Sequence, residues 1–253
     1  MPLADDLALA LDPVLLARRA GIEPDPWQAD VLRSTAPRRL LNCSRQSGKS
    51  TVAAVRAVHV ALYEPGALVL LLSPALRQSG ELFRKVLDVY RALDHAEPPA
   101  AESALRLELE NGSRIVALPG KEGTIRGYSG VRRLLIDEAS RVPDELYRSV
   151  RPMLAVSGGD LDAMSTPFGT RGWWYDAWRS DEPWQRVEVP ATLVPRISPE
   201  FLAEERRTLG AWWYAQEYEC RFMDAADAVF RAADIQAAFT LDAPPPLFGG
   251  LAS

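Results

Sequence analysis

Apolar and polar positions along the chain change period several times, and each change marks an element. Asp12-Pro13 and Asp25-Pro26 each set an N-cap residue before a proline at the first helical position, so two short helices open the chain, the first stopped by Gly21. Arg38 to Cys43 is a short apolar run followed by a Gly/Ser turn and an apolar-periodic stretch from Lys49 to Tyr63, which reads as strand, loop, helix. Ala67 to Ser73 is apolar throughout, as expected of a strand covered on both faces in a parallel sheet. Glu81 to Leu93 reads as a helix. Leu105 to Glu110 and Arg114 to Leu118 flank Asn111-Gly112, a strong signal for a β-hairpin. Leu134 to Ile136 is a buried strand running into acidic residues, Pro143 to Leu154 a helix, and Leu161 to Ser165 a strand ending at Thr166-Pro167.

Ser198-Pro199 begins a helical stretch to about Cys220, whose Trp212, Trp213, Tyr214 and Tyr218 read as core or docking residues rather than a base-stacking surface. Beyond Phe222 come Val229-Phe230, a short helix over 234–239 and the run Pro244-Pro245-Pro246, a stiff linker or frayed tail. Alternating strands and helices predict an α/β sheet with crossover helices, and in such sheets ligands sit beyond the carboxyl ends of the strands.

Composition narrows the chemistry. At 253 residues and 47% apolar content the chain can bury one main core. No run of eighteen apolar residues occurs and the start lacks a basic n-region, so a soluble, intracellular protein without a membrane span is expected. Cys43 and Cys220 are too few for a disulfide framework, and His59 and His95 leave little for a histidine metal site or a Ser-His-Asp triad. Hydrolytic chemistry must therefore come from carboxylates. A net charge of -5 gives no global attraction to nucleic acid, so any such contact would be a local patch.

The segment Cys43-Ser44-Arg45-Gln46-Ser47-Gly48-Lys49-Ser50 matches a phosphate-binding loop from Gly48 on, with Cys43 in place of the first glycine. In such a loop the backbone N–H groups, continued by Thr51 at the start of the next helix, cradle phosphate oxygens, Lys49 reaches the outer phosphates and Ser50 offers a hydroxyl to Mg²⁺. The alternative is a surface turn, and the strand before and helix after argue against it. Leu134 to Glu138 is an apolar strand delivering two adjacent carboxylates to its carboxyl end: Asp137 to hold Mg²⁺ and Glu138 to align and deprotonate the attacking water. Here the alternative is an N-cap pair. Ser165 and Thr166 could sense a γ-phosphate, and a turn before Pro167 accounts for them equally well. Trp27-Gln28 offers an aromatic and an amide for adenine, or simple packing.

In that order, Ser-Arg45-Gln46-Ser-Gly-Lys, Ile125-Arg126-Gly127, Asp137-Glu138-Ala139 and Ser165-Thr166-Pro167-Phe168-Gly169 resemble the large subunit of tailed-phage terminases. The likeness continues through Pro190-Ala191-Thr192, Glu217-Tyr218-Glu219-Cys220, Phe222 and Val229-Phe230, nearly the whole chain. It implies a P-loop NTPase fold of the RecA/ASCE-like type, a mainly parallel sheet flanked by helices with a β-hairpin insertion. It also implies ATP and Mg²⁺ as ligands and hydrolysis coupled to translocation of double-stranded DNA. The implied partners are a portal protein, a terminase small subunit and other copies in a homo-oligomeric ring when assembled, with a monomer in isolation, in the cytoplasm of the bacterial host and transiently on the procapsid. Arg45 becomes a loop arginine that contacts phosphates or couples their state to motion, and Arg126 resembles an arginine finger given to a neighbour; each also has the plain reading of a surface ion-pair member. The resemblance makes residues 1–222 the motor domain, with a helical subdomain over about 198–222, and 223–253 a linker or the start of a nuclease domain. The nuclease would open with a strand bearing a metal-binding aspartate. If 250–252 begins that strand, Ala252 stands at the aspartate's place, and with only Asp234 and Asp242 nearby no DNA cleavage is expected. A superfamily 2 helicase would need a second lobe, and a catalytically reduced nucleotide-binding or assembly module is the other reading.

Overall fold

The computed structural model describes residues 3–93, 98–119 and 127–224. Three helices come first. α2 (Pro13–Arg19) is capped by the Asp12 carboxylate, which accepts from the Val14 N–H, and the chain leaves it through Gly21 at φ +74°. α3 (Pro26–Arg33) follows Asp25. Before both lies α1 (Leu3–Leu11), which the sequence pattern does not predict because its leucines follow no buried stripe: none of its residues is buried.

Then strands and helices alternate: β1 (Arg38–Cys43), α4 (Lys49–Tyr63), β2 (Leu68–Ser73), α5 (Leu76–Arg91), β3 (Ala101–Ser103), β4 (Arg106–Glu108), β5 (Arg114–Pro119), β6 (Val131–Asp137), α6 (Asp144–Val150), β7 (Asp160–Ser165), α7 (Trp173–Arg179), β8 (Gln185–Val189) and α8 (Pro199–Glu217). They build one eight-stranded sheet in the order β3-β4-β5-β2-β6-β7-β1-β8. From β5 to β8 every neighbour is parallel, while β3-β4-β5 is antiparallel, with Glu108 opposite Arg114. The expected hairpin is present and continuous with the main sheet, because β5 also pairs with β2, while β3 forms the edge outside it. Its turn is fixed from outside: the Asn111 amide donates to the Ala61 and Leu62 carbonyls at the end of α4, and its oxygen accepts from the Ser113 N–H.

Alternate strand residues face opposite layers. Leu41, Cys43, Val69, Leu71, Leu135 and Met164 pack under α2 to α5, and Leu40, Leu70, Leu72, Leu134, Ile136 and Ala163 pack over α6 and α7. The sheet is thus covered on both faces, as the apolar run of β2 requires.

Four expectations need correction. α5 starts at Leu76, well before Glu81. The helix expected over Pro143 to Leu154 splits into α6 and a 3-10 turn, Arg151–Leu154, since Pro152 has no N–H to continue the ladder. α8 is broken at Gly210, φ +75°. α7 and β8 are additions that the sequence pattern does not predict.

One buried cluster is announced by no motif. On the α4 face Arg39 and Asp162, both fully buried, lie on neighbouring strands with Nη1 to Oδ1 at 2.5 Å. Arg56 of α4 reaches the other Asp162 oxygen at 2.8 Å and donates to the Val31 and Leu32 carbonyls at the end of α3, while Arg133 of β6 lies 3.6 Å from Asp162 and 2.6 Å from Asp160. This network pins α3 and α4 to the amino ends of β1, β6 and β7.

Candidate nucleotide site

At the carboxyl end of β1 the chain turns through Gln46 (φ +58°) and Gly48 (φ +91°) into α4, whose first N–H groups have no intrahelical acceptor. Gly48 is required on two counts. Its φ lies in the left-handed region, and a Cβ there would come within 2.5 Å of the Gln28 amide nitrogen. Gln28 is a brace: its oxygen accepts from the Asp25 N–H (2.9 Å) and its nitrogen donates to the Ser47 carbonyl (3.2 Å). Arg196 donates to the same carbonyl (3.1 Å) and pairs with Asp25 (2.6 Å).

Two strands along the sheet, beyond β7, β6 ends in Asp137. Lys49 Nζ stands 3.2 Å from Glu138 Oε1, and Ser50 Oγ donates to Asp137 Oδ2 at 3.2 Å. Asp137 Oδ1 accepts from the Glu138 N–H (3.0 Å). Glu138 adopts φ +51°, uncommon for a residue with a side chain and the kind of strained backbone that clusters at functional sites. Burial pushes the Asp137 carboxyl above its ordinary range, with Lys49 pulling it back. Burial works against the Lys49 ammonium, and Glu138 and Asp137 overcome this and hold its pKa above the usual lysine value. Lys49 is therefore a permanent cation at neutral pH.

A cavity of about 910 Å³ opens over the loop, lined among others by Gln28, Arg45, Gln46, Ser47, Gly48, Lys49, Ser50, Thr51, Glu138 and Thr166. Most of the residues singled out in the sequence therefore converge. Cys43, Ser44, Asp137 and Ser165 sit behind its wall, all buried. The Cys43 thiol is pushed up to about 12 by burial. Ser165 Oγ accepts from the Ser140 N–H (3.2 Å) and lies 2.7 Å from Ser140 Oγ, so it ties β7 to the turn after Glu138, while Thr166 alone of the pair faces the cavity. Arg126 lies outside the described residues, as do Ile125, Val229-Phe230, the helix expected over 234–239, the proline run and 250–252.

The structure adds Gln78, Lys85, Arg141 and Arg196 to the cavity wall. No motif carries them; they come from α5 and from turns that only the fold brings round. It also gives Arg45 a partner: its Nε lies 2.5 Å from the buried Glu217 carboxylate and its N–H donates to the Glu217 carbonyl (3.0 Å). Together with Asn42 Nδ2 to the Cys220 carbonyl (2.8 Å), this fastens the end of α8 to the loop.

The residues present fit Mg²⁺. Ser50 Oγ and Asp137 Oδ2 are hard oxygen donors side by side, and Mg²⁺ is commonly held by one or two protein oxygens with substrate phosphates and water completing its shell. Among the described residues no group of three or more His, Cys, Asp or Glu forms a metal cage.

Residues 40–237 match the family model for the N-terminal part of the terminase large subunit, T4likevirus-type. The chain belongs to that family. The large terminase subunit of Thermus phage G20c is 26% identical over 255 residues, covering 85% of this chain and 52% of that protein, so the chain spans about half the length of the curated relative it matches. The ATPase domain of the Thermus phage P74-26 large terminase superposes with a TM-score of 0.73 at 24% identity over 82% of this chain and 97% of that domain. The large terminase of the thermophilic bacteriophage D6E, in complex with ADP, gives 0.63 at 13% identity over 79% of this chain and 53% of that one. These likenesses establish the P-loop fold; among the described residues no helix is long and apolar enough to cross a membrane.

Proposed function

We propose that this terminase-family chain is the ATP-hydrolysing motor of viral DNA packaging, driving double-stranded DNA into a procapsid. The observation that carries the reading is the pairing across one cavity of Lys49 with Glu138 and of Ser50 with Asp137, each at 3.2 Å. The loop N–H groups and Lys49 bind the phosphates; Ser50 and Asp137 would hold Mg²⁺, which would supply positive charge against that developing on the phosphates. Glu138, held by Lys49 and by its backbone turn, takes the proton of the attacking water as the water oxygen bonds to the γ-phosphorus and the bond to the bridging oxygen breaks. Arg45 reaches the phosphates from the loop, and Arg126 acts on the γ-phosphate of a neighbouring copy. Thr166 faces the γ-phosphate side, and Ser165 reports to it through Ser140. Gln28 shapes the loop rather than reading adenine with its oxygen, which is engaged by Asp25.

Residues 1–222 form the motor domain with α8 in a helical subdomain, and 223–253 serve as a linker or the start of a nuclease domain. The partners are duplex DNA, a portal protein, a small subunit and further copies in a ring, in the host cytoplasm. Steady-state hydrolysis and nucleotide binding test the reading together. Lys49→Ala should weaken ATP binding, whereas Glu138→Gln should keep binding and lower turnover by about 10² to 10⁴, the contribution of a positioned base. Glu138→Gln hydrolysing ATP at the wild-type rate would overturn the assignment of the base.

A further inference from the structure

Opposite the nucleotide cavity, at the amino ends of β1 and β7, lies a second cleft of about 560 Å³. We propose that it holds a phosphate oxyanion.

Arg38, Arg148 and Arg151 line the cleft together with Tyr147, Gly158 and Gly159, and no carboxylate is among its lining residues. In a chain of net charge -5 this is a local reversal of sign. Arg38, half-buried, is among the lining residues, and among the described residues no carboxylate lies within ion-pair distance of it. A guanidinium without a carboxylate partner is free to give charge-assisted hydrogen bonds to an oxyanion. The nearest carboxylates to Arg148 and Arg151 are Asp144 and Glu182, each 3.8 Å away in pairs open to solvent. Pairs of that kind hold their partners weakly, so both forks are available to a ligand.

The walls are fixed. Tyr147 stacks on Trp173 with ring centroids 3.9 Å apart, and the Arg151 guanidinium carbon sits 5.9 Å from the Tyr147 centroid. The turn into β7 is held close: Gly158 has φ +61°, and Gly159 packs so tightly on β6 that a Cβ there would lie 2.1 Å from the Val131 carbonyl oxygen, while Pro37, Pro152, Leu154 and Ala155 complete the lining. Three planar forks on one cleft suit a tetrahedral oxyanion, which arginine grips in bidentate fashion. The same chemistry is offered by the backbone of duplex DNA and by free phosphate. Only the DNA source rests on the function proposed above.

The experiment uses Lys49→Ala protein, so that the phosphate loop does not compete, with and without Arg148→Ala/Arg151→Ala. A labelled short duplex is titrated by anisotropy between ~50 and ~200 mM salt, and the melting temperature is followed against inorganic phosphate with chloride as control. For DNA as the source, the double substitution lowers duplex affinity about tenfold and reduces the slope of log K against log salt by about two, one for each phosphate no longer neutralised by an arginine. For free phosphate, phosphate raises the melting temperature only when the two arginines are present and duplex binding is unmoved. If neither measurement changes with the arginines, the cleft is no anion site. Made in the otherwise unchanged sequence, Arg148→Ala/Arg151→Ala leaves ATP turnover at the parental rate, which shows an intact fold. A chain that hydrolyses no ATP yet passes the anion test sinks only the proposed function.

Discussion

Asp162→Asn is the substitution with the most to say about what holds the sheet to α3 and α4. The Asp162 carboxylate is 1% exposed, and its two oxygens serve Arg39 at 2.5 Å and Arg56 at 2.8 Å, with Arg133 at 3.6 Å. Burial alone would raise its pKa, but Arg56, Arg133 and Arg39 hold it well below the usual carboxylate range; burial likewise lowers Arg56 to about 10. Asparagine keeps the shape but removes the charge and turns an N–H₂ toward a guanidinium. Breaking a buried ion pair by removing one partner costs about 3–5 kcal/mol, because the remaining charge is left uncompensated. For a chain of this size each kcal/mol shifts the melting temperature by about 2–4 °C, so a loss of about 10 °C is expected. Urea unfolding followed by tryptophan emission measures the free-energy loss, and a thermal melt the shift in temperature. The pH dependence follows from the sign of the shift. A carboxyl whose folded pKa is depressed contributes stability above its unfolded value, about 3.9, and loses it as pH falls through the folded value. The gap between wild type and Asp162→Asn should therefore be full at pH 7 and narrow only below about pH 4. A loss under about 1 kcal/mol at pH 7 would refute the argument, since that is the range of solvent-screened pairs.

Two further outcomes follow from local geometry. Gly48→Ala forces a side chain into φ +91° and onto the Gln28 amide, and should weaken nucleotide binding about tenfold, the equivalent of ~1–2 kcal/mol of left-handed strain; Gln28→Ala added to it should restore part of the loss in a fluorescent-nucleotide titration, and no recovery would remove the steric account. Cys43 and Cys220 are buried and burial raises both thiols, so thiol titration of the native protein should be slow and reach two equivalents only in denaturant; rapid labelling of the native state would contradict the burial.

What can be read along the chain is what is written locally. The loop from Cys43 to Ser50 and the strand into Asp137-Glu138 lie within single strand-turn segments, so their residue types, spacing and flanking periodicity all fall inside one window. β8, with the sequence Gln-Arg-Val-Glu-Val, escapes because an edge strand needs no apolar run, and α7 because its first turn is a Trp-Trp-Tyr run without helical period. Arg141, Arg196 and Lys85 reach the cavity from three separate places in the chain, and nothing in their neighbours marks them. The buried cluster does leave one trace: Arg39 and Asp162 are opposite charges standing at positions of central parallel strands that would otherwise be apolar. The register that puts Arg39 opposite Asp162 also puts Leu41 opposite Met164 and Asn42 opposite Ser165, so the same pair of strands carries the charge lock at one end and the nucleotide-facing turns at the other. With a rise of about 3.3 Å per residue, some three residues separate the two ends by about 10 Å. The carboxylate at position 162 is therefore close enough to fix the strands on which the site stands and too far to touch the phosphates, and its loss should lower stability well before it alters the turnover of molecules that remain folded.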